Sequence, residues 1–333
     1  MNHRCTLTPH ARHVLALATP VGDISPEQHG CHEDSPYVWW LWRDRGIIAP
    51  LPTPEELSYG LREADFYRMS RERSRTNEDT MRPILSYIIW FSQRTGSTLL
   101  CQALASTGIA GKPQEWLHDP ETSDLCKMYK VDTPAAVQKT LWELGTTSNG
   151  VFGLKLSMSE PHHTRMLDQF RQFPSCPPHP QCRAEVWEAA FPHCQHLFMT
   201  RRNKVRLAVS WWKAITSGEW HRKAGEPARA AEVQDAYRFE AIAHLVLEAS
   251  LREAAIQEFL TEGGMVPLTI VYEDFIADYA GTVQRVLDFL GVSPPEPFKI
   301  DPPLYEKLAD EVSETWVQRF RRECQKGWKN IVW

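Results

Sequence analysis

The sequence predicts an α/β protein, with a three-layer fold in which a central parallel sheet is flanked by helices. Two observations lead to this class. Short apolar runs typical of buried strands alternate along the chain with longer segments of helical periodicity. The first of these runs also ends in a polar loop that leads directly into a helix. Such alternation indicates parallel strands that are covered by helices on both faces.

The first strand is predicted at residues 87–91, which read Tyr-Ile-Ile-Trp-Phe. A helix follows from Ser97 to about Thr107, because apolar residues recur there at helical spacing and Gly108 supplies a stop. The same reasoning gives further strands and helices. The strands are predicted at residues 151–158, 196–200 and 268–272, and the helices at residues 160–170, 204–217, 232–260 and 281–290.

The alternation begins only near residue 83, so we divide the chain into an N-terminal extension, residues 1–82, and one domain, residues 83–333. The extension is rich in Pro, Gly, His and charged residues, and its role does not follow from the sequence. It contains the segment Val-Trp-Trp-Leu-Trp at residues 38–42. This segment fits core or lid packing better than a platform over a ligand.

Composition excludes several classes of function. The formal net charge is −5, which argues against a general nucleic-acid binder, because such proteins bind phosphate backbones through clustered Lys and Arg. No apolar run approaches the roughly 20 residues that a transmembrane helix needs. The 8 cysteines are spread irregularly along a chain of 333 residues. We therefore expect a soluble cytoplasmic protein with reduced thiols.

One group of cysteines and histidines, within residues 176–196, could supply zinc ligands. Its members are Cys176, His179, Cys182, Cys194 and His196. Their spacing fits no familiar zinc pattern, and prolines around Cys176 indicate a surface loop. We interpret these residues as ordinary loop and strand positions and expect no metal.

The polar loop at residues 92–98 reads Ser-Gln-Arg-Thr-Gly-Ser-Thr. A loop between a buried strand and a helix brings the free N–H groups of the helix to one point, where an anion binds. Gly96 allows close approach of the backbone, and Arg94 adds a fixed charge. The loop is not a Walker A motif, since the Gly-Lys pair is missing. The alternative is a helix that is merely capped by Ser or Thr.

A second candidate anion site follows the strand at residues 196–200. Arg201 and Arg202 come directly after it, and Ser210 stands eight residues beyond Arg202, on the next helix. An arginine fork with a serine hydroxyl suits a phosphate group. The alternative is a solvated basic face.

Five segments resemble the motifs of the Stf0-type bacterial sulfotransferases. They are residues 92–100, 111–115, 151–156, 200–210 and 272–292, which together lie within a span of about 88–320. The resemblance implies a P-loop-like fold and transfer of a sulfuryl group from 3′-phosphoadenosine-5′-phosphosulfate (PAPS) to a hydroxyl of a small acceptor. A carbohydrate or glycolipid acceptor is implied. Dimers occur in the family, and the sequence leaves open whether this chain forms a homodimer.

The resemblance also implies roles for individual residues. It makes Glu115 the general base for the acceptor hydroxyl and assigns the 3′-phosphate of the nucleotide to Arg202 and Ser210, while Arg94 would stabilise charge on the leaving 5′-phosphate. No metal is required. The nucleotide-binding residues are Gln93, Arg94, Thr95, Gly96, Ser97, Thr98, Leu99, Arg201, Arg202 and Ser210. A further candidate cation is Lys155, and the reserve bases are His118, His162 and His163.

Two other functions stay open at this point. A P-loop-type small-molecule kinase would need a Walker lysine and a magnesium carboxylate, whereas a non-catalytic nucleotide-binding regulatory module would keep both anion sites without transfer. Residues 326–330, Lys-Gly-Trp-Lys-Asn, are similar to a nucleotide loop of the animal cytosolic sulfotransferases, although the spacing differs.

Overall fold

The computed structural model describes residues 82–119, 122–227, 236–293 and 300–333. The predicted extension, including residues 38–42, lies outside the described residues except for Arg82. The strands are β1 (Leu85–Phe91), β2 (Val151–Leu156), β3 (Cys194–Thr200) and β4 (Leu268–Val271). The helices are α1 (Ser97–Ser106), α2 (Leu125–Tyr129), α3 (Pro134–Gly145), α4 (His162–Phe170), α5 (Arg183–Ala190), α6 (Lys204–Ser217), α7 (Phe239–Glu262), α8 (Tyr272–Ala277), α9 (Tyr279–Leu290) and α10 (Glu311–Cys324).

The described strands form one parallel sheet in the order β2-β1-β3-β4. On β1, Ile88 is in register with Leu154 of β2 and with His196 of β3. The chain passes from β1 to β2 on one side and then crosses to β3 on the other. The carboxyl end of β1 is therefore a topological switch point, which is where open α/β sheets bind their ligands.

Side chains of β1 alternate between two apolar clusters, one on each face of the sheet. Ile88 and Trp90 belong to the cluster that α3, α4, α5 and α7 cover. Tyr87, Ile89 and Phe91 belong to the cluster that α1, α8 and α9 cover. Because both faces of the sheet are buried, its strands are largely apolar. The predicted α/β fold with a central parallel sheet between helices is confirmed.

A third apolar cluster joins α6 to α7 and α10. Trp211 of α6, Ile242 of α7 and Trp316 of α10 are all buried in it. Because α6 begins just after β3, this cluster fixes the direction in which the helix leaves the sheet. In the described part of the chain, no helix combines the length and the apolar character needed to cross a membrane.

Candidate active site

Three strands end side by side at one edge of the sheet. Trp90 and Phe91, the last residues of β1, are in register with Leu156 of β2 and Met199 of β3. The loop after β1 and the segment after β3 therefore start from neighbouring positions, as the sequence requires if the two predicted anion sites are to act together.

The loop at residues 92–98, called here the phosphate loop, contains two left-handed residues. Gly96 has φ 82° and Arg94 has φ 65°. Gly96 occupies the position before α1 and makes no side-chain capping bond, so the first N–H groups of α1 have no side-chain acceptor at the cap. The alternative of a helix capped by Ser or Thr is thus wrong. A Cβ on Gly96 would lie 2.8 Å from Cδ2 of Tyr272.

Arg94 joins the two predicted anion segments. Its Nε donates to Oγ of Ser210 at 3.0 Å, and its Nη1 donates to the carbonyl of Trp220 at 2.6 Å. Burial and the nearby positive charge of Arg201 lower the pKa of Arg94 to about 10, while Tyr272 opposes the shift. Two guanidinium groups held this close together favour an anion between or beside them.

The two arginines after β3 have different surroundings. Arg201 is buried, lies 4.5 Å above the ring of Tyr272 and has its Nε 3.6 Å from a carboxylate oxygen of Glu273. Arg202 is exposed and pairs with Asp274 at 2.5 Å. Arg201 therefore lies near Arg94, whereas the side chain of Arg202 contacts the start of α8.

Glu115 is held at the end of β2 by a lysine. Nζ of Lys155 lies 2.8 Å from Oε1 of Glu115 and donates to Oγ1 of Thr98 at 3.0 Å. The same ammonium lies 5.1 Å from the centre of the Phe91 ring. The backbone N–H of Lys155 donates to the carbonyl of Gln114 at 2.9 Å, which fixes the segment before Glu115 against the strand. The candidate base and the phosphate loop are thus linked through one buried cation.

The electrostatic surroundings keep Glu115 ionised. Burial raises the pKa of this carboxyl, but the charge and hydrogen bond of Lys155, together with His118 and His221, outweigh it and lower the pKa below its usual value. The side chain is 39% exposed, so a ligand can reach it. An accessible carboxylate can accept a proton from an acceptor hydroxyl.

Sequence reasoning missed Glu253, which joins both loops to α7. Its carboxylate accepts hydrogen bonds from Oγ of Ser92 at 3.0 Å, from Oγ1 of Thr200 at 2.9 Å and from Nζ of Lys204 at 2.6 Å. The signal in the sequence was a glutamate at helical spacing from Ala249, Ile256 and Leu260, on the apolar face of the helix. This network fixes the carboxyl ends of β1 and β3 relative to each other.

A second missed feature is a pair of segments beside the phosphate loop. Lys223 pairs antiparallel with Tyr305, and the N–H of Ala224 donates to the carbonyl of Leu304 at 3.0 Å. The rings of His221 and Tyr305 pack at a tilt of 30°, with their centres 5.1 Å apart. Neither segment carries a motif, so the sequence offered no signal for them.

The three reserve bases and the C-terminal segment have different surroundings. His163 is buried in the core, where Nε2 accepts from Nε1 of Trp187 at 3.2 Å, and burial lowers its pKa to about 4. His118 lies in the turn after Glu115, and the ring of His162, at the start of α4, meets it edge-on with ring centres 6.3 Å apart. Residues 326–330 are exposed beyond α10. Among the described side chains, no group of three or more His, Cys, Asp or Glu is arranged to hold a metal ion.

Comparisons with known proteins agree with the motifs. The chain is 28% identical over 266 residues to the trehalose 2-sulfotransferase of Mycolicibacterium smegmatis, covering 72% of this chain and 96% of that protein. It is also 28% identical over 277 residues to the trehalose 2-sulfotransferase of Mycobacterium tuberculosis, covering 74% of this chain and 97% of that protein.

Among solved structures, the sulfotransferase from Alicyclobacillus acidocaldarius aligns with a TM-score of 0.40 and 17% identity, covering 71% of this chain and 91% of that one. At this TM-score the structural similarity does not bear on the family to which the chain belongs. The family model for the Stf0 sulphotransferases matches residues 86–323, a span that contains the four described strands apart from Leu85, the first residue of β1, and both predicted anion sites. The resemblance seen in the motifs is confirmed, and the chain belongs to the Stf0 sulphotransferase family.

Proposed function

We propose that this protein transfers a sulfuryl group from PAPS to a hydroxyl of a small, carbohydrate-containing acceptor and releases 3′-phosphoadenosine-5′-phosphate (PAP). The observation that carries the proposal is the position of Lys155, whose ammonium contacts both Glu115 and Thr98. Only the side chain of Lys155 thereby separates Glu115, the proposed base, from the phosphate loop, where the leaving phosphate binds.

The donor is held by two anion sites. The 5′-phosphate and sulfuryl group bind in the phosphate loop, through its N–H groups, its hydroxyls and Arg94. The 3′-phosphate binds to Arg202 and Ser210, with Arg201 adding charge nearby. The contact between Arg202 and Asp274 is exposed on both sides, so it contributes little and can be exchanged for a phosphate.

Transfer is an in-line displacement at sulfur. The acceptor oxygen forms a bond to sulfur while the bond from sulfur to the 5′-phosphate oxygen breaks, and the proton of the acceptor hydroxyl passes to Glu115. Arg94 and Lys155 neutralise the charge that develops on the departing phosphate oxygen. The chemistry consists of positioning, proton removal and charge stabilisation, and it requires no metal.

The choice of acceptor follows the relatives. Both curated relatives are trehalose 2-sulfotransferases, so a hydroxyl of trehalose or of a similar sugar is the first acceptor to test. A sugar hydroxyl is uncharged and weakly acidic, and for this reason a positioned general base accelerates its attack.

Donor binding is tested by calorimetry with PAP, ADP and 5′-AMP. Native protein is expected to prefer PAP, and Arg202→Ala to lose that preference. Arg206→Ala is the matched control, because Arg206 lies on α6 and pairs with Glu314 on α10, and this variant is expected to leave PAP binding unchanged. Equal binding of PAP and ADP by the native protein would contradict the proposed donor.

Transfer itself is tested by mass spectrometry of sulfated sugar after incubation with PAPS. Glu115→Gln keeps the size of the side chain but removes the base, so we expect kcat to fall by a factor of about 100 or more with PAP affinity retained. Full activity in this variant would remove Glu115 from the mechanism. Magnesium-dependent turnover of ATP in place of PAPS would instead establish the kinase alternative.

A further inference from the structure

The segments 218–227 and 300–306 place an aromatic pair beside the phosphate loop. The ring of His221 packs against that of Tyr305 at a tilt of 30°, and the phenol of Tyr305 accepts a hydrogen bond from Nε2 of Gln102, on α1, at 2.6 Å. The residue before His221 is also fixed, because the carbonyl of Trp220 accepts a hydrogen bond from Arg94 at 2.6 Å. The imidazole is therefore held from two sides by the phosphate loop and the helix that follows it.

The electrostatic surroundings of His221 favour its neutral form. Desolvation by the neighbouring protein groups, followed by the charges of Arg94 and Lys155, lowers the pKa of His221, although Glu115 opposes the shift and part of the residue stays exposed. These three groups are those of the proposed transfer reaction, so the imidazole lies within electrostatic range of the reacting atoms. A neutral imidazole has one N–H donor and one acceptor nitrogen.

We propose that His221, backed by Tyr305, binds the sugar acceptor beside Glu115 and positions its hydroxyl for attack on sulfur. The inference rests on the proposed function, because it assigns the acceptor side of the same site. His221 is accessible to solvent, as a residue that touches a diffusing substrate must be. Trp220, the preceding residue, is also 40% exposed.

The chemistry of this surface suits an uncharged polyhydroxylated ring. Arg94 and Lys155 bring positive charge to the phosphate loop, where the anionic donor binds, whereas the pair of His221 and Tyr305 presents an uncharged face and a donor–acceptor edge. Aromatic faces pack against the apolar faces of sugar rings, and the imidazole edge can bond to two neighbouring hydroxyls. The acceptor is therefore expected to be uncharged where it meets His221.

The test measures acceptor and donor separately in the full-length protein. Steady-state kinetics with trehalose and PAPS are expected to give an acceptor KM at least about tenfold higher in His221→Ala, with the Kd for PAP within about twofold of the native value. His221→Gln, which keeps a donor and an acceptor, is expected to restore part of the acceptor affinity. The control is His179→Gln, an exposed histidine in the proline-rich loop.

A direct measurement of sugar binding distinguishes failure of this inference from failure of the proposed function. Saturation-transfer NMR of trehalose, maltose and glucose with the complex of protein and PAP reports acceptor binding without turnover. An unchanged acceptor KM and unchanged sugar signals in His221→Ala would overturn the inference, as would the absence of binding by all three sugars. Loss of PAP affinity together with acceptor affinity would show that His221 only supports the phosphate loop. Failure of the native protein to bind PAP would instead overturn the proposed function.

Discussion

Lys155 helps to set the pKa of Glu115. In the native cleft, burial raises the pKa of Glu115, and Lys155, together with His118 and His221, more than offsets that rise. In Lys155→Met the burial remains and the compensating charge is lost, so the pKa of Glu115 increases. The ionised base then forms only at higher pH, and the acidic limb of the profile of kcat/KM against pH is expected to move to higher pH.

A fall in kcat should accompany this change, by roughly tenfold or more, because one of two cations is removed from the leaving phosphate. Lys139→Met is the control, since Lys139 lies on α3 and its side chain is 44% exposed. An acidic limb that stays in place in Lys155→Met would mean that Glu115 does not control that limb.

Gly96 and Gly108 offer a matched pair of positions at the two ends of α1. Both have positive φ, 82° and 70°, so alanine is strained at each. Only at Gly96 does the new Cβ meet a side chain, 2.8 Å from Tyr272, and only there does the backbone face the proposed phosphate. We expect Gly96→Ala to weaken PAP binding at least about tenfold, and Gly108→Ala to leave the Kd nearly unchanged. Calorimetry with PAP measures both, and equal losses would contradict this account of the phosphate loop.

At the scale of elements, Glu253 couples α7 to the ends of β1 and β3. In Glu253→Gln, an amide replaces one carboxylate oxygen, so it cannot accept from Ser92, Thr200 and Lys204 together. We expect the free energy of unfolding to fall by about 2 kcal/mol, because charged hydrogen bonds are lost inside the protein. Urea unfolding measures the change. Glu258→Gln, at an exposed position of the same helix, should change the stability by less than about 0.5 kcal/mol.

The elements differ in how well the sequence predicted them. The strand at 87–91 and the helices at 204–217 and 160–170 correspond closely to β1, α6 and α4, because continuous apolar runs and strong amphipathic periods are local signals. The helix predicted from residue 232 begins at Phe239 within the described residues. The strand predicted to residue 158 ends at Leu156, because residues 157 and 158 leave the sheet.

Helices α3, α5 and α10 were not predicted at all. Much of α10 is charged, so its local pattern resembles a surface loop. Trp142 of α3, Trp187 of α5 and Trp316 of α10 are buried against residues that are distant in the chain, and this tertiary packing stabilises the three helices. The site divides in the same way. Residues within motifs, such as Arg94 and Glu115, could be predicted, whereas His221 and Glu253 reach the site only through tertiary packing.

At the scale of the whole molecule, the site draws on segments that are distant in the chain. The phosphate loop follows β1, Glu115 lies against β2, and Ser210 stands on the helix after β3. The parallel topology brings these segments to one edge of the sheet, since all strands end on the same side.

The N-terminal boundary of the domain, near residue 83, can be tested by truncation. Both faces of the sheet are covered by helices from the described residues, and the family model begins at residue 86. We therefore expect a chain of residues 83–333 to fold cooperatively and to bind PAP within about threefold of the full-length Kd. Circular dichroism during heating and calorimetry with PAP measure the two properties.

A chain that begins at residue 93 is the control, because it lacks β1, the strand that lies between β2 and β3. Without that strand, both apolar clusters lose the β1 side chains that belong to them. This shorter chain is therefore expected to aggregate or to unfold without a cooperative transition. If residues 83–333 behaved like this control, the first 82 residues would belong to the domain. If they folded and bound PAP but lost activity toward sugars alone, the extension would be part of the acceptor site.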